Sequence, residues 1–146
     1  MNPVPVVNER EQAMAMWWAS APGRALRQAE RDAITPWLAH CFGYHAVHLR
    51  LHAEPDALAG DLPGVRIPHV FELGARSAAL IARPDALPLA SESLDLVVAQ
   101  HVLELADDPH ALLREIDRVL VPEGRLLLLN FNPISFWGMR RALNIR

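Results

Sequence analysis

The sequence predicts an α/β fold, a mostly parallel sheet flanked by helices, and three observations carry that prediction. Residues 94–99 form a β-type run whose Leu94-Asp95-Leu96-Val97-Val98 core has one polar position, the pattern of a strand buried on both faces. Residues 109–120 then place Leu112, Leu113, Ile116, Val119 and Leu120 on one helical face, with Arg114, Glu115, Asp117 and Arg118 largely away from it. The leucines at 126–129 make a further strand with no polar face. Strand, helix and strand of these lengths form a βαβ crossover, which joins parallel strands and implies helices on both sides of the sheet.

The remaining elements follow in chain order. Residues 1–8 hold two prolines in the first five positions and read as an extended tail. Composition turns helical at Glu9, and Ser20-Ala21-Pro22-Gly23 breaks that helix. A second helix runs from Arg24 to Trp37 or His40, with Ala25, Ala29, Ala33 and Trp37 at fourfold spacing and Leu26 and Ile34 beside them as its apolar stripe. Pro36 falls where it would kink or end that helix. Residues 44–51 alternate as a strand with His45, Val47, Leu49 and Leu51 on one side. A loop punctuated by Pro and Gly covers 54–68, and 69–73 and 77–82 read as short strands. Asp107 or Asp108 caps the helix whose first turn takes Pro109, and Pro122 with Gly124 ends it. Residues 1–40 thus form a tail and helical lead and 41–146 the α/β domain, together one compact unit.

Composition narrows the function classes. A chain of 146 residues, 51% hydrophobic, buries one real core. A formal charge of −3 and a pI near 6.1 supply no general attraction to nucleic acid or an anionic membrane, so neither is expected as a partner. Cys41 is the single cysteine, which excludes an intrachain disulfide and fits a reducing compartment. No apolar run approaches the roughly 18–20 residues of a membrane span, and the amino terminus lacks the basic-then-apolar order of a secretion signal; a cytoplasmic location is the expectation. His40, His45, His48 and His52 raise the question of a metal. On a strand, however, His48 and His52 lie about 13 Å apart at about 3.3 Å per residue, too far to share an ion, and no metal is expected. Nucleophile-elbow and phosphate-loop motifs are absent from the sequence.

In open parallel sheets ligands bind outside the carboxyl ends of the strands, where strand order reverses. That rule singles out residues 52–54, 72–75, 85–86, 100–101 and 130–135. The order of features over 82–132 adds specific roles: an acidic turn at Asp85, Leu87-Pro88-Leu89, an Asp95-led strand, a capped amphipathic helix, a Pro122-Glu123-Gly124 turn and another strand. In that order they resemble the middle of a class I S-adenosylmethionine-dependent methyltransferase, which implies a Rossmann-like methyltransferase fold. The resemblance implies that Asp85 accepts from the adenine amino group while the Ala86 backbone N–H addresses the ring. It places Gln100 and His101 near the methionine moiety and the methyl group, with His101 a weak candidate for removing a proton from the acceptor. Glu72 is the nearest acid for the ribose hydroxyls, His52 stands where the family has the first glycine of its loop, and Asp95, at the start of its strand, is structural.

Both ends of the chain narrow the match. Trp17-Trp18, Pro22-Gly23-Arg24, Leu26 and Glu30 leading into His48-Leu49-Arg50-Leu51, and the late run FNPISFWGMRR at 131–141, resemble a bacterial methyltransferase-like group labelled YafS-like. This implies a lid helix ahead of the sheet and puts Trp18, Asn132, Ser135, Trp137 and Arg140 on the substrate side of the pocket.

Two departures from the family shape the expectations. The glycine-rich loop is absent, with His52 in place of its first glycine, where a side chain would crowd the methionine carboxylate. Two further strands usual in the family are also missing, so the chain reads as truncated at its carboxyl end, with 126–129 a sheet edge that a homodimer partner would cover. The first functional expectation is a methyltransferase, or its cofactor-binding portion, using S-adenosylmethionine to methylate an unidentified small molecule, chiefly by aligning nucleophile and methyl. The alternative is a non-catalytic relative serving as an interaction or dimerisation module. The altered loop favours the alternative; Asp85, Leu87-Pro88 and the Gln100-His101 pair favour the enzyme.

Overall fold

The computed structural model describes residues 9–50, 62–74, 80–81 and 85–132. Its elements are α1 (Glu9–Ala19), α2 (Ala21–Leu38), β1 (His45–Arg50), β2 (His69–Gly74), β3 (Leu80–Ile81), β4 (Leu94–Gln100), α3 (Pro109–Val119) and β5 (Leu120–Leu129). The strands form one sheet in the order β3-β2-β1-β4-β5, and every neighbouring pair is parallel. From β1 the chain builds outward to β2 and β3, then returns to the other side for β4 and β5. The switch point therefore lies between the carboxyl ends of β1 and β4.

Two cores sandwich the sheet. On one face α3 buries Leu112, Ile116 and Val119 against Val47, Leu49, Leu73, Val97 and Ala99. On the other, Leu38 from the end of α2 joins Cys41, Ala46, Leu62, Ile67, Leu96 and Val98, with Ile34 and Val70 packed alongside. β1 is buried from Ala46 to Arg50, so both of its faces are interior, including His48 and Arg50, whereas the sequence reading assigned it one apolar side. Arg50 is tolerated there because its guanidinium pairs with Glu72 on β2. Gly74 ends β2 without a side chain because a Cβ there would sit 1.7 Å from the Arg50 carbonyl oxygen.

The helical lead differs from expectation at two points. Ser20 alone separates α1 from α2; Ala21, Pro22 and Gly23 already belong to the first turn of α2, with the Ser20 hydroxyl accepting from the Gly23 N–H at 3.3 Å. Gly23 lets the two helices close up, since a Cβ there would lie 2.2 Å from the Trp17 carbonyl oxygen. The alanine stripe is a correction: Ala25, Ala29, Ala33 and Trp37 are exposed, Trp37 at 70%. The inward face is instead Gly23, Arg27, Glu30, Ile34 and Leu38, which keeps helical spacing but carries two charged residues. Pro36 sits in the last turn, where α2 continues to Leu38.

The crossover came out closer to expectation. Asp108 caps α3, its Oδ1 accepting from the Ala111 N–H at 2.9 Å. β5 begins directly at Leu120, and the Pro122-Glu123-Gly124 turn lies within it as a register break: Leu94 pairs with Leu120, but Leu96 pairs with Arg125. Asp95 ties the sheet's lower end, its Oδ2 accepting from the Tyr44 and His45 N–H groups at 2.8 and 3.0 Å. Those bonds hold its carboxyl below the usual range.

Candidate functional site

At the carboxyl end of β4 the backbone turns sharply, and His101 takes a positive φ of 52° that aims its ring back over the sheet end. Its N–H donates to the Leu129 carbonyl at the end of β5, 2.8 Å away, which fixes that turn against the neighbouring strand. The imidazole is fully buried. Its Nε2 meets Glu30 Oε1 at 2.6 Å and its Nδ1 meets Glu104 Oε1 at 3.3 Å, so one carboxylate faces each ring nitrogen. Trp18 lies against the ring with centroids 5.0 Å apart, and Phe131 with centroids 4.4 Å apart. Four stretches of chain thus meet on one side chain: α1 through Trp18, α2 through Glu30, the β4–α3 connection through Glu104, and the segment after β5 through Phe131.

Gln100 extends this network across the switch point. Its amide nitrogen donates to Glu30 Oε2 at 3.1 Å, and its amide oxygen is 2.9 Å from His48 Nε2 on β1. Phe131 contributes a backbone donor as well as a ring, its N–H reaching Glu104 Oε1 at 2.6 Å.

Electrostatics set the charge state. Burial works against an imidazolium, but the hydrogen bonds and charges of Glu104 and Glu30 outweigh it and raise the His101 pKa to about 9. Burial likewise opposes the Glu104 carboxylate, and its bonds to His101 and the Phe131 N–H prevail to lower its pKa. At neutral pH His101 is therefore a cation with both nitrogens engaged. The weak candidacy of His101 for removing a proton, implied by the resemblance, finds no support in this arrangement, because two carboxylates from outside its own strand reach it. With both glutamates ionised the trio carries one net negative charge, a favourable neighbour for a cationic ligand centre.

The second part of the rim is the turn after β3. Asp85 and Ala86 are both exposed there. Just behind them α3 grips the chain: Glu115 Oε2 accepts from the Leu87 N–H at 2.9 Å, while Arg118 donates to the Leu87 and Leu89 carbonyls at 3.1 and 2.9 Å. Glu115 and Arg118, read from sequence as pointing away, are half-buried clamps of the Leu-Pro-Leu turn. The Arg118 hydrogen bonds, with help from the Leu87 N–H, hold the Glu115 carboxyl below its usual range.

The candidates therefore separate. Gln100, His101 and Trp18 come together, joined by Phe131, which lies in the 130–135 stretch singled out from sequence, and by Glu30 and Glu104, which the sequence reading did not assign to the pocket. Asp85 and Ala86 are exposed in the turn that precedes Leu87. Glu72 is a correction: it lies inside β2, in register with His48, and its carboxylate is taken by Arg50, so it does not project past the strand end as a ribose acceptor would. Asn132 is exposed beside Phe131. His52, Ser135, Trp137 and Arg140 lie outside the described residues. A sequence signal for Glu30 did exist, since Arg27 and Glu30 interrupt the helical face that carries Ile34 and Leu38.

Residues 33–128 match the methyltransferase domain family. YafS of Escherichia coli, itself uncharacterised, is 33% identical over 132 residues, covering 88% of this chain and 53% of that protein. Two malonyl-[acyl-carrier protein] O-methyltransferases, from Halorhodospira halophila and Laribacter hongkongensis, are 31% and 38% identical over 64% and 56% of this chain, and over 33% and 27% of their own lengths. The chain thus spans about half or less of these relatives. Among solved structures, a chain from the complex of the Haloferax volcanii Trm112 methyltransferase activator with a methyltransferase superposes with a TM-score of 0.55 at 24% identity, over 84% of this chain and 60% of that one. That likeness shows the fold.

Proposed function

The chain belongs to the methyltransferase domain family, and from that membership we propose that it binds S-adenosylmethionine along the carboxyl edge of the sheet and serves methyl transfer to a small-molecule acceptor. The observation that carries this reading is the rim itself. Gln100 and His101 stand at the switch point, and the Asp85-Ala86 turn is exposed, with Leu87 directly after it held by Glu115 and Arg118.

The donor set suits the cofactor. An exposed carboxylate at Asp85 fits an exocyclic amine, and the Ala86 N–H fits a ring nitrogen. The net negative Glu30–His101–Glu104 trio fits a positively charged sulfonium. When bound, the cofactor supplies a methyl group already activated by that sulfonium. The protein's part is then to hold the cofactor's ends, exclude water with Trp18 and Phe131, and align the acceptor.

No group in the described trio is placed to act as a base, which favours acceptors that need none. The names of the two malonyl-carrier relatives carry oxygen methylation, and a carboxylate acceptor arrives without a proton to lose. Small carboxylic acids and their carrier-bound forms are thus the first class to assay. Calorimetric titration with S-adenosylmethionine and S-adenosylhomocysteine tests the core of the reading: micromolar binding of either is expected, and a folded protein giving neither heat nor thermal shift would sink it.

The burial of His101 and Trp18 supports a second reading, an interaction module that keeps the fold and fills the cofactor's methyl end with its own side chains. Its partner would be a protein: a second copy pairing along β5, or an activator as in the Haloferax complex. Absent cofactor binding together with a defined complex in solution would favour it.

A further inference from the structure

The α1–α2 pair is fastened to the sheet in two different ways. The carboxyl half of α2 is packed, with Leu38 fully buried and Ile34 against the same apolar cluster. The forward half is held by polar and aromatic contacts that converge on the rim. Glu30 gives one oxygen to His101 at 2.6 Å and the other to Gln100 at 3.1 Å. One turn earlier, Arg27 donates to the Trp18 carbonyl at 3.3 Å and lays its guanidinium 5.8 Å from the Trp18 ring centroid. Trp18 in turn rests on His101. Apolar packing resists sliding and opening throughout its area, whereas a carboxylate can exchange one cationic partner for another.

We propose that Glu30 is a positioning residue that latches α1 and α2 over the cofactor rim, and that the sulfonium end of the cofactor enters only when this carboxylate releases His101 and Gln100. The inference rests on the methyltransferase reading and adds a gate to it. The groups facing His101 make release feasible. Glu104 from the β4–α3 connection remains on Nδ1, so the imidazolium is not stranded when Glu30 leaves. From the other sides, among the described residues, it faces Trp18, with Arg27 beyond it, Gln100 through Glu30, and the Phe131 ring. The freed Glu30 carboxylate then meets a cationic ligand instead of a cationic side chain. Trp18 moves with it, because Arg27 binds that residue to the same face of α2. The closed arrangement leaves Trp18 and His101 without solvent exposure, so the latch and an occupied methyl end exclude one another.

The experiment pairs Glu30→Gln with the wild-type chain. Binding of S-adenosylhomocysteine is measured by calorimetry, and the His101 ring is titrated by nitrogen-15 NMR. With the ionic tie removed, Glu30→Gln should bind at least tenfold more tightly, and its His101 should titrate at least one pH unit lower than in the wild type. Equal or weaker affinity in Glu30→Gln overturns the latch while leaving the cofactor site standing. Failure of both proteins to bind either S-adenosylhomocysteine or S-adenosylmethionine removes the cofactor reading and the latch with it. Should Glu30→Gln not fold, the wild type alone decides: saturation with S-adenosylhomocysteine should lower the His101 titration by a unit or more, and an unmoved titration overturns the proposal.

Discussion

His101 shows how a residue's chemistry follows from what reaches it more than from its type. An isolated histidine after a strand is a plausible proton acceptor, but here two glutamates make it a buried cation. Its pKa is raised from 6.5 to about 9, so the stabilisation is fully present below pH 6.5 and is lost as pH rises through about 9. The same contact lowers Glu104, and that contribution is present above about pH 4.5 and lost as pH falls through the folded value. Stability should therefore be greatest between about pH 4.5 and 6.5 and decline toward pH 9 by on the order of 3 kcal/mol, as measured by urea unfolding at a series of pH values. A flat profile across pH 6.5–9 would show the imidazolium to be absent. Asp85 offers a binding test, since Asp85→Ala should weaken any cofactor affinity roughly tenfold or more, the loss of one hydrogen bond to a charged group; unchanged calorimetric affinity would remove the adenine assignment. The turn at Asp85 was legible in sequence because a local motif carries it. Glu30 left only the trace of a charge on the face of α2 that carries Ile34 and Leu38, and Glu104 none, because their partners lie far along the chain or across a loop and only the fold brings them to His101.

At the scale of elements, the legible parts were those whose pattern is local. The β4–α3–β5 crossover could be read directly, since Asp108, Pro109 and the Leu112-Ile116-Val119 face act within a few residues of each other. α2 misled because alanine at fourfold spacing mimics an apolar stripe, while the buried face spends two of its positions on charges that find partners in another element. The polar side of α3 was also misread, and that error is informative. Glu115 and Arg118 clamp the 87–89 turn, so Arg118→Ala should leave α3 folded yet loosen the turn that presents Asp85 and Ala86. We expect roughly a tenfold loss of cofactor affinity from the released carbonyls, with little change in circular dichroism. Ile116→Ala, by contrast, should cost about 2–5 kcal/mol in urea unfolding with no selective effect on ligand affinity, because it opens a cavity in the core.

For the whole molecule, the fold class followed from the run of apolar strands, and the parallel sheet and the likeness to a solved methyltransferase-complex chain bear it out. A lid helix was expected from the resemblance; what sequence could not supply were the contacts that hold the helical lead to the rim, since those depend on side chains meeting across the switch point. Among the described residues β5 is the last strand in the order, with Leu126 and Leu128 each 39% exposed. Such an edge pairs readily with another strand. We expect concentration-dependent self-association in sedimentation, abolished by Leu126→Lys with Leu128→Lys, and a strictly monomeric wild type would show that the edge is covered within the chain.

An all-parallel sheet also dictates how the protein acquires its shape. No described strand can zip onto its sequence neighbour through a tight turn, so each pairing must first close a long loop, and refolding should be slow, on the order of milliseconds to seconds. The crossover from β4 through α3 into β5 is the most self-sufficient stretch, with its own cap and a continuous apolar face. Mutations there should retard refolding, whereas truncating Leu38 should mainly hasten unfolding, marking the helical lead as the last piece to dock.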